Sequence, residues 1–232
     1  MCRSLLSCLF LLLCSLANAQ VADEDMLCYV AAPASVQLYW KDDQEKVLGS
    51  IAALQAYVKT RHHRLLFAMN AGMYQEDQSP LGLLIQEYTT RKGLNTRSGK
   101  GNFYLQPNGV FYIRRDQKAF ISTTAAFRTG KDIRYATQSG PMLLVKGKIH
   151  PAFTQGSANL NIRNGVGLLP GNKLLFVLSK VPVNFYDFAD YFRRKGCIDA
   201  LYLDGFVSRA YLPAQQWMQT DGAFGAMIGV CE

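Results

Sequence analysis

Short runs of alternating or continuous apolar residues recur along most of the chain, separated by polar turns that contain glycine. Such runs are typical of β-strands, because successive side chains of a strand point to opposite faces. Alternation over residues 26–41 predicts two strands, and Asn108-Gly109 predicts a hairpin that joins strands over 103–106 and 110–114. Further strands are predicted over 65–69, 81–88, 134–137, 142–145, 166–169, 174–178, 198–203 and 223–230, with turns over 91–93, 146–147 and 170–173.

Two segments have apolar residues at helical spacing instead. Such residues recur every three or four positions over 47–58, and Lys59 follows near the predicted helix C-terminus, where a cation is favourable. The second segment begins after Asn184, a good N-cap, and ends at Gly196, a common helix stop. Many strands, few helices and hairpin connections predict an α+β fold, namely a single domain with a mixed, largely antiparallel sheet and a few flanking helices.

The first 19 residues have the pattern of a secretory signal peptide. Arg3 is followed by an apolar run over 9–16, and Ala17-Asn18-Ala19 supplies the small residues that signal peptidase recognises. The run is shorter than the roughly 20 residues of a membrane-spanning helix, so no stable membrane span is expected. The sequence therefore predicts a cleaved signal peptide over 1–19, a mature domain over 20–232, and a periplasmic or secreted location.

The formal net charge of the chain is +8 at pH 7. The basic residues lie in short groups that are well separated along the sequence. A protein that binds nucleic acid more often has a basic stripe with interleaved aromatic residues on one element. We therefore expect no nucleic-acid partner, and a solvated basic surface that favours anionic partners such as phosphorylated glycans.

Three of the six cysteines remain after the signal peptide. In an oxidising compartment this number predicts one disulfide and one free thiol. Cys28 and Cys231 lie near the two ends of the chain, which are often neighbours in a domain, so they are the predicted pair, with Cys197 reduced and buried. No cysteine pair has metal-ligand spacing and the acidic loops lack the spacing of an EF-hand, so no metal or other cofactor is expected.

Four buried strands run directly into short polar turns that contain glycine. Enzymes often place working residues at such strand ends, although each turn alone is also explained by the backbone geometry that Gly, Asn, Asp and Ser allow. The histidines have no recognisable triad spacing, and no hydrolase elbow, nucleotide loop or zinc-protease helix is present. The four turns are Asn70-Ala71-Gly72-Met73-Tyr74, Gln138-Ser139-Gly140-Pro141, Arg163-Asn164-Gly165 and Asp204-Gly205-Phe206-Val207-Ser208.

Taken together and in this order, the four turns resemble those of the phosphodiester glycosidase family, and in particular its smaller bacterial branch. The resemblance extends over about residues 65–230. Larger relatives usually have a second glycine after the Asp-Gly pair, where this chain has Phe206 and Val207 before Ser208. The segments that carry the resemblance are Met69-Asn70-Ala71-Gly72-Met73-Tyr74, Ser79-Pro80-Leu81-Gly82-Leu83, Gly101-Asn102-Phe103-Tyr104, Gln138-Ser139-Gly140-Pro141-Met142-Leu143, Arg163-Asn164-Gly165-Val166-Gly167, Asp187-Phe188-Ala189 and Ala200-Leu201-Tyr202-Leu203-Asp204-Gly205.

The resemblance implies an exported hydrolase that cleaves the C1–O bond of sugar-1-phosphodiesters in envelope or extracellular glycans. Such a reaction develops positive charge at C1 and expels a phosphate, so it needs a carboxylate near C1 and a cation near the phosphate. Asp204 is the only acid directly at the end of a strongly apolar strand, Arg163 can hold a phosphate bidentately, and Glu76 is a candidate second carboxylate. The predicted substrate-binding residues are Asn70, Gly72, Asn102, Gln138, Ser139, Gly140, Asn164, Gly205 and Ser208.

Other interpretations stay open at the level of the sequence. Asp204 could belong to a structural Asp-Gly turn, and Arg163 to a surface salt bridge. The same scaffold could be a non-catalytic glycan-binding protein of the cell envelope, which would bind through exposed aromatic residues and would not need Asp204. It could also be a metal-independent phosphodiesterase that cuts the P–O bond.

Overall fold

The computed structural model describes residues 21–232, so the predicted signal peptide over 1–19 lies outside the described residues. Within 21–232, no helix is long and apolar enough to cross a membrane. Sixteen β-strands and two α-helices in this part of the chain form one domain. The predicted α+β class with a few helices is confirmed.

Strands make up most of the regular structure, and the two helices interrupt them after β2 and after β12. The strands are β1 (Met26–Ala31), β2 (Val36–Tyr39), β3 (Leu65–Asn70), β4 (Leu84–Gln86), β5 (Thr89–Lys92), β6 (Gly109–Arg114), β7 (Ala119–Thr123), β8 (Ile133–Ser139), β9 (Met142–Val145), β10 (Lys148–Ile149), β11 (Asn164–Leu169), β12 (Lys173–Ser179), β13 (Asp199–Asp204), β14 (Ala210–Leu212), β15 (Trp217–Met218) and β16 (Met227–Cys231). The helices are α1 (Ile51–Thr60) and α2 (Phe185–Arg194), with short 3-10 turns at Asp23–Asp25, Pro33–Ser35, Asn102–Tyr104 and Pro213–Gln215.

The strands form three sheets. Sheet A has the spatial order β1-β12-β11-β13-β9-β10, sheet B the order β15-β14-β3-β16-β2, and sheet C the order β5-β4-β8-β6-β7. Every strand pair in the described part of the chain is antiparallel. The hairpins predicted at 146–147 and 170–173 are confirmed as the β9–β10 and β11–β12 pairs.

A single aromatic core joins the three sheets. Phe67 of sheet B lies 5.4 Å from Phe176 of sheet A, measured between ring centroids, and Phe111 of sheet C lies 6.3 Å from the same ring. All three side chains are buried. Because burying one such side chain stabilises a fold by roughly 1.5–3 kcal/mol, this shared cluster holds the sheets in a fixed relation to one another.

Each helix covers the outer face of one sheet. α2 begins where Asn184 caps it by accepting from the Asp187 N–H over 2.9 Å, and the left-handed Gly196 (φ 86°) follows its C-terminus, as predicted. α1 packs on sheet B and begins at Ile51 rather than at residue 47. Gly49 has a φ of 70°, which ends any earlier helix, and the Ser50 hydroxyl then caps α1.

The hairpin predicted at Asn108-Gly109 is wrong. Gly109 begins β6, which pairs with β7 across a turn at 115–118, and residues 102–104 form a 3-10 turn. Asn108 is buried and donates to the Phe103 backbone oxygen over 2.8 Å, so it is used inside the core. The turn chemistry is supplied by Asp116, whose carboxylate accepts from the Lys118 N–H.

The strand predicted over 81–88 is shorter than expected, and the turn predicted over 91–93 lies within and just after a strand. Only Leu84–Gln86 forms β4, and Thr89–Lys92 forms β5. Glu87 and Tyr88 have positive φ values of 42° and 65°, which is turn geometry. The chain therefore reverses between β4 and β5 at Glu87 and Tyr88, four residues before the turn predicted at 91–93.

The predicted disulfide between Cys28 and Cys231 is wrong, because both residues are free thiols in the described structure. Cys28 lies in sheet A and Cys231 in sheet B, and each contacts a tyrosine hydroxyl, at 3.2 and 3.6 Å respectively. The prediction of a buried free thiol at Cys197 is confirmed, and burial raises its pKa to about 12.

Candidate active site

Three strand ends from sheets A and B meet in a closed ring of hydrogen bonds. β3 ends at Asn70, β11 begins at Asn164 and β13 ends at Asp204. The Asn70 amide donates to the Asp204 carboxylate over 3.1 Å, and the Asp204 backbone N–H donates to Asn164 Oδ1 over 2.6 Å. Asn164 closes the ring by donating from Nδ2 to the backbone oxygen and to Oδ1 of Asn70, at 2.9 and 3.1 Å. This polar ring (Asn70, Asn164 and Asp204) therefore orients the carboxylate at the junction of the two sheets.

An irregularity in strand pairing gives Asp204 this position. Asn164 pairs with Asp204 and Gly165 pairs with Tyr202, so Leu203 has no counterpart on β11. β-bulges of this kind re-aim side chains and end regular pairing. Residues 200–203 are all fully buried, so Asp204 is the first acidic side chain where the strand leaves the core.

The Asp204 carboxyl has a perturbed pKa. Burial raises that pKa from 3.8 to about 6, because the charged form loses solvation. Hydrogen bonds from the Gly205 N–H, at 2.8 Å, and from Asn70 act in the opposite direction without cancelling the effect of burial. A carboxyl group with such a pKa is typical of groups that transfer protons or stabilise charge at active sites.

The turn that follows Asp204 packs closely on the core. A Cβ at Gly205 would overlap the Tyr202 hydroxyl, so only glycine fits there. The Ser208 N–H donates to the Gly205 oxygen over 2.7 Å, while the buried Ser208 hydroxyl has no hydrogen-bond partner within the described residues. An unpaired buried hydroxyl costs free energy, which an oxygen of water or substrate would relieve.

Four of the predicted binding residues, in β8 and in loops beside it, are used in packing and hydrogen bonding inside the protein. The Ser139 hydroxyl donates to the Leu203 backbone oxygen over 2.6 Å. A Cβ at Gly72 would overlap the Gln138 backbone oxygen, and one at Gly140 would lie 2.9 Å from the backbone oxygen of a neighbouring loop. The Gln138 amide makes four hydrogen bonds inside the protein. The side chains of Ser139 and Gln138 are therefore already hydrogen-bonded within the protein, and the two glycines allow close packing of the loops.

Arg163 lies inside the protein. It is 1% exposed, Nε donates to the Val183 oxygen over 2.8 Å, and Nη2 donates to the Asn159 oxygen over 2.9 Å. The guanidinium carbon lies 3.6 Å from the centre of the Phe185 ring, and Nη1 lies 3.4 Å from the Tyr202 hydroxyl. Burial lowers the pKa of Arg163. The alternative of a surface salt bridge is thus wrong, and Arg163 joins two loops beneath the polar ring.

Glu76 and Asn102 lie in exposed loops. Glu76 is in the turn that the Tyr74–Pro80 bridge closes, and Asn102 begins a 3-10 turn. Within residues 21–232, neither side chain forms a hydrogen bond with the polar ring. Their roles in catalysis and binding stay predictions.

Two residues outside the predicted catalytic and binding residues belong to the surroundings of the ring. The pKa of Tyr74 is raised by burial and further by the negative charge of Asp204. The Arg209 N–H donates to Asn70 Oδ1 over 3.0 Å, and its guanidinium, partly exposed, is paired with Asp221. Both residues belong to or directly follow the turns that the sequence marked, which is the signal that could have identified them.

The described residues contain no group of three or more His, Cys, Asp or Glu side chains that could hold a metal ion. The polar ring offers one carboxylate and two side-chain amides, and the amide nitrogens point into the ring. Calcium takes six to eight oxygen ligands. The ring is therefore a poor fit for a calcium ion.

A separate groove of about 520 Å³ lies between the edges of sheets B and C. Its walls include Trp40, Tyr57 and Glu87, and none of the polar-ring residues lines it. Several of its charged side chains are already paired with one another, for example Arg61 with Asp43. The polar ring, which has a perturbed carboxyl and an unpaired buried hydroxyl nearby, is the better candidate for an active site.

Residues 63–227 match the family model described as phosphodiester glycosidase. Over 178 residues the chain is 41% identical to YigE of Escherichia coli strain K12, an uncharacterized protein, and the match covers 76% of this chain and 69% of YigE.

Two solved structures share the fold. One is the catalytic domain of zebrafish N-acetylglucosamine-1-phosphodiester alpha-N-acetylglucosaminidase, auto-inhibited by its pro-peptide, with a TM-score of 0.58 and 16% identity over 90% of this chain and 84% of that one. The other is a hypothetical protein from Synechocystis, with a TM-score of 0.54 and 14% identity over 91% of this chain and 60% of that one. At these identities the likeness is one of fold.

Proposed function

Because the chain belongs to the phosphodiester glycosidase family, we propose that it hydrolyses sugar-1-phosphodiesters at the C1–O bond, with Asp204 as the carboxylate at C1. In this reaction the C1–O bond breaks and its electron pair stays on the phosphate oxygen. Water supplies a hydroxyl group to C1 and a proton to the phosphate, which gives a free sugar and a phosphate monoester.

The half-buried, oriented carboxylate of Asp204 is the observation that carries this proposal. Positive charge develops at C1 in the transition state, and a carboxylate stabilises it more strongly in a site of low dielectric than in water. Asn70 and the Gly205 N–H each bind one carboxylate oxygen, so the charge does not need to reorient during the reaction. Above about pH 6 this carboxylate is ionised, as its role requires.

The departing phosphate would meet donors on the turn after Asp204. The side chains suited to phosphate oxygens are the unpaired hydroxyl of Ser208 and the guanidinium of Arg209, which is partly exposed and also pairs with Asp221 through Nε. Arg163 is too deeply buried for direct contact in this arrangement and acts as a positioning residue, because it holds the loops around Asn159 and Val183.

The test is hydrolysis of a panel of sugar-1-phosphodiesters in oxygen-18 water. The panel begins with N-acetylglucosamine-1-phosphodiesters, the substrate class after which the zebrafish relative is named. We expect label in the sugar, and we expect Asp204→Asn to lose roughly a hundredfold or more in turnover while still binding substrate. Asp199→Asn, at the other end of β13, is the matched control and should retain activity.

Two outcomes would overturn the proposal. Label in the phosphate would mean cleavage of the P–O bond, as in the phosphodiesterase alternative. Binding of glycans without hydrolysis of any diester would favour the non-catalytic glycan-binding alternative.

We also propose that the protein is exported and that cleavage after Ala19 leaves Gln20 as the first residue, because Ala17-Asn18-Ala19 has the pattern of a signal-peptidase site. Intact mass measured on protein from an exporting host tests this. A mass that retains Met1 would contradict it.

A further inference from the structure

Four large apolar side chains are exposed at the end of sheet A that carries Asp204. The exposed fractions are 85% for Phe206, 54% for Leu160, 39% for Val181 and 37% for Val207. They make up half of the eight large apolar side chains that are exposed within residues 21–232. Scattered exposed apolar residues are ordinary, but a group beside a polar site marks a binding surface.

Strand pairing puts these residues at the same end of the sheet. Asn164 at the start of β11 pairs with Leu178 on one side and with Asp204 on the other. The loops over 155–163, 180–184 and 205–208 therefore leave sheet A together. A Cβ at Gly205 would lie 3.9 Å from the Ile162 backbone oxygen, so the turn that bears Phe206 adjoins the loop that bears Leu160.

Hydrogen bonds hold each of the three loops in place. Arg163 donates to the backbone oxygens of Asn159 and Val183, which fixes the loops that carry Leu160 and Val181. The 205–208 turn is closed by the hydrogen bond from the Ser208 N–H to the Gly205 oxygen, and the Arg209 N–H that follows it donates to Asn70 Oδ1. The loops that carry the exposed apolar side chains are therefore fixed by hydrogen bonds.

We propose that this apolar rim (Leu160, Val181, Phe206 and Val207) binds the alcohol moiety of the substrate, and that this alcohol is an apolar alkyl, prenyl or aromatic group. The inference rests on the proposed function, in which the phosphate leaves from C1 near Asp204. The alcohol on the far side of that phosphate reaches the adjoining surface. A sugar alcohol would gain little from contact with the apolar rim. An apolar alcohol would bury its own surface and that of the rim, which is favourable. After cleavage it would leave as the phosphate monoester of that alcohol.

The experiment compares methyl, butyl and octyl diesters of one sugar-1-phosphate, each below its micelle concentration. Full burial of one methylene is worth about 0.8 kcal/mol, or roughly fourfold in kcat/KM, so partial burial should raise kcat/KM about tenfold or more from methyl to octyl. The double variant Phe206→Ser with Val207→Ser should bring the octyl-to-methyl ratio close to one. Ile198→Ser is the matched control, because Ile198 is 54% exposed just before the opposite end of β13, and it should keep the ratio of the unsubstituted protein.

The outcomes separate this inference from the proposed function. Hydrolysis of all diesters with a flat ratio would overturn the apolar rim and leave the function standing, as would a ratio that survives the double variant. If no diester is hydrolysed, the function fails, and calorimetric titration with the methyl and octyl diesters decides the inference. Tighter octyl binding that the double variant abolishes supports the rim, and equal binding overturns it. A flat series together with binding to phospholipid vesicles that depends on Phe206 would overturn it in favour of a membrane surface.

Discussion

The charge on Asp204 should destabilise the folded protein, so Asp204→Asn should make it more stable at neutral pH. Burial raises the pKa of this carboxyl from 3.8 to about 6. The folded protein therefore holds the proton over a range of pH in which the unfolded chain has released it. Consequently the free energy of unfolding falls as the pH rises from about 4 to about 6, and the full cost is present above that window.

The size of the effect follows from the shift in pKa. Two pKa units correspond to up to about 3 kcal/mol, at about 1.36 kcal/mol per unit. An asparagine has one accepting oxygen where Asp204 accepts from both Asn70 and Gly205, so the substitution loses one hydrogen bond, worth about 1 kcal/mol. We therefore expect Asp204→Asn to be more stable by about 1–2 kcal/mol at pH 7.5 and less stable by about 1 kcal/mol below pH 4.

Urea unfolding of both proteins at intervals between pH 3.5 and pH 8 measures this difference. Other titrating groups are common to the two proteins and cancel, so the difference reports Asp204 alone. Asp199→Asn is the control, because it also removes a carboxylate at an end of β13. The Asp199 carboxylate accepts from the Lys146 N–H, so this variant should show no increase in the free energy of unfolding at pH 7.5. A difference that does not vary with pH, or a variant that is less stable throughout, would refute the reasoning.

Three further predictions concern the same region. If ionised Asp204 acts at C1, kcat/KM for a diester should fall below about pH 6, and a profile that stays flat down to pH 4.5 would contradict this role. Arg163→Met should lower the free energy of unfolding by about 1–3 kcal/mol, because it removes the side-chain hydrogen bonds to the backbone oxygens of Asn159 and Val183; urea unfolding checks this, and a neutral result would contradict the hydrogen bonds described. Gly72→Ala should cost about 1–3 kcal/mol in the same assay because its Cβ would overlap the Gln138 backbone, whereas Gly93→Ala, with no atom within 4 Å of its added Cβ, should be nearly neutral; equal effects would contradict the close packing.

Much of the fold could be predicted where residues that favour a helix end or a turn lie at the helix ends and turns of the structure. The Asn184 cap and the Gly196 stop delimit α2, and the turns at 146–147 and 170–173 join strands as expected. The hairpin prediction failed where tertiary packing outweighed turn propensity. Asn108-Gly109 has the sequence of a solvent-exposed turn, yet Asn108 is buried in the core. The turn between β6 and β7 contains Asp116 instead.

The sequence predicted several residues of the candidate site but not how they are arranged in space. Asn70, Asn164 and Asp204 were selected from separate turns, and the structure joins them in one ring. The burial of Arg163 could not be predicted, because an arginine that bonds to backbone oxygens has the same sequence signature as one that binds a phosphate. Tyr74 was not among the predicted site residues, because the effect of Asp204 on its pKa joins parts of the chain that are distant in sequence.

The position of β16 makes the surroundings of Asn70 depend on a strand that is distant in sequence. This strand lies between β3 and β2 in sheet B, so Met227 pairs with Asn70 across most of the sequence, and the Ala71 N–H donates to the Ala226 oxygen. Bringing such distant segments together carries an entropic cost, which slows folding. During synthesis, sheets A and C can pair their strands before residues 226–231 exist, but Asn70 lacks its neighbouring strand until then. The onset of activity in a refolding experiment would therefore report completion of the whole domain, later than the appearance of β-structure.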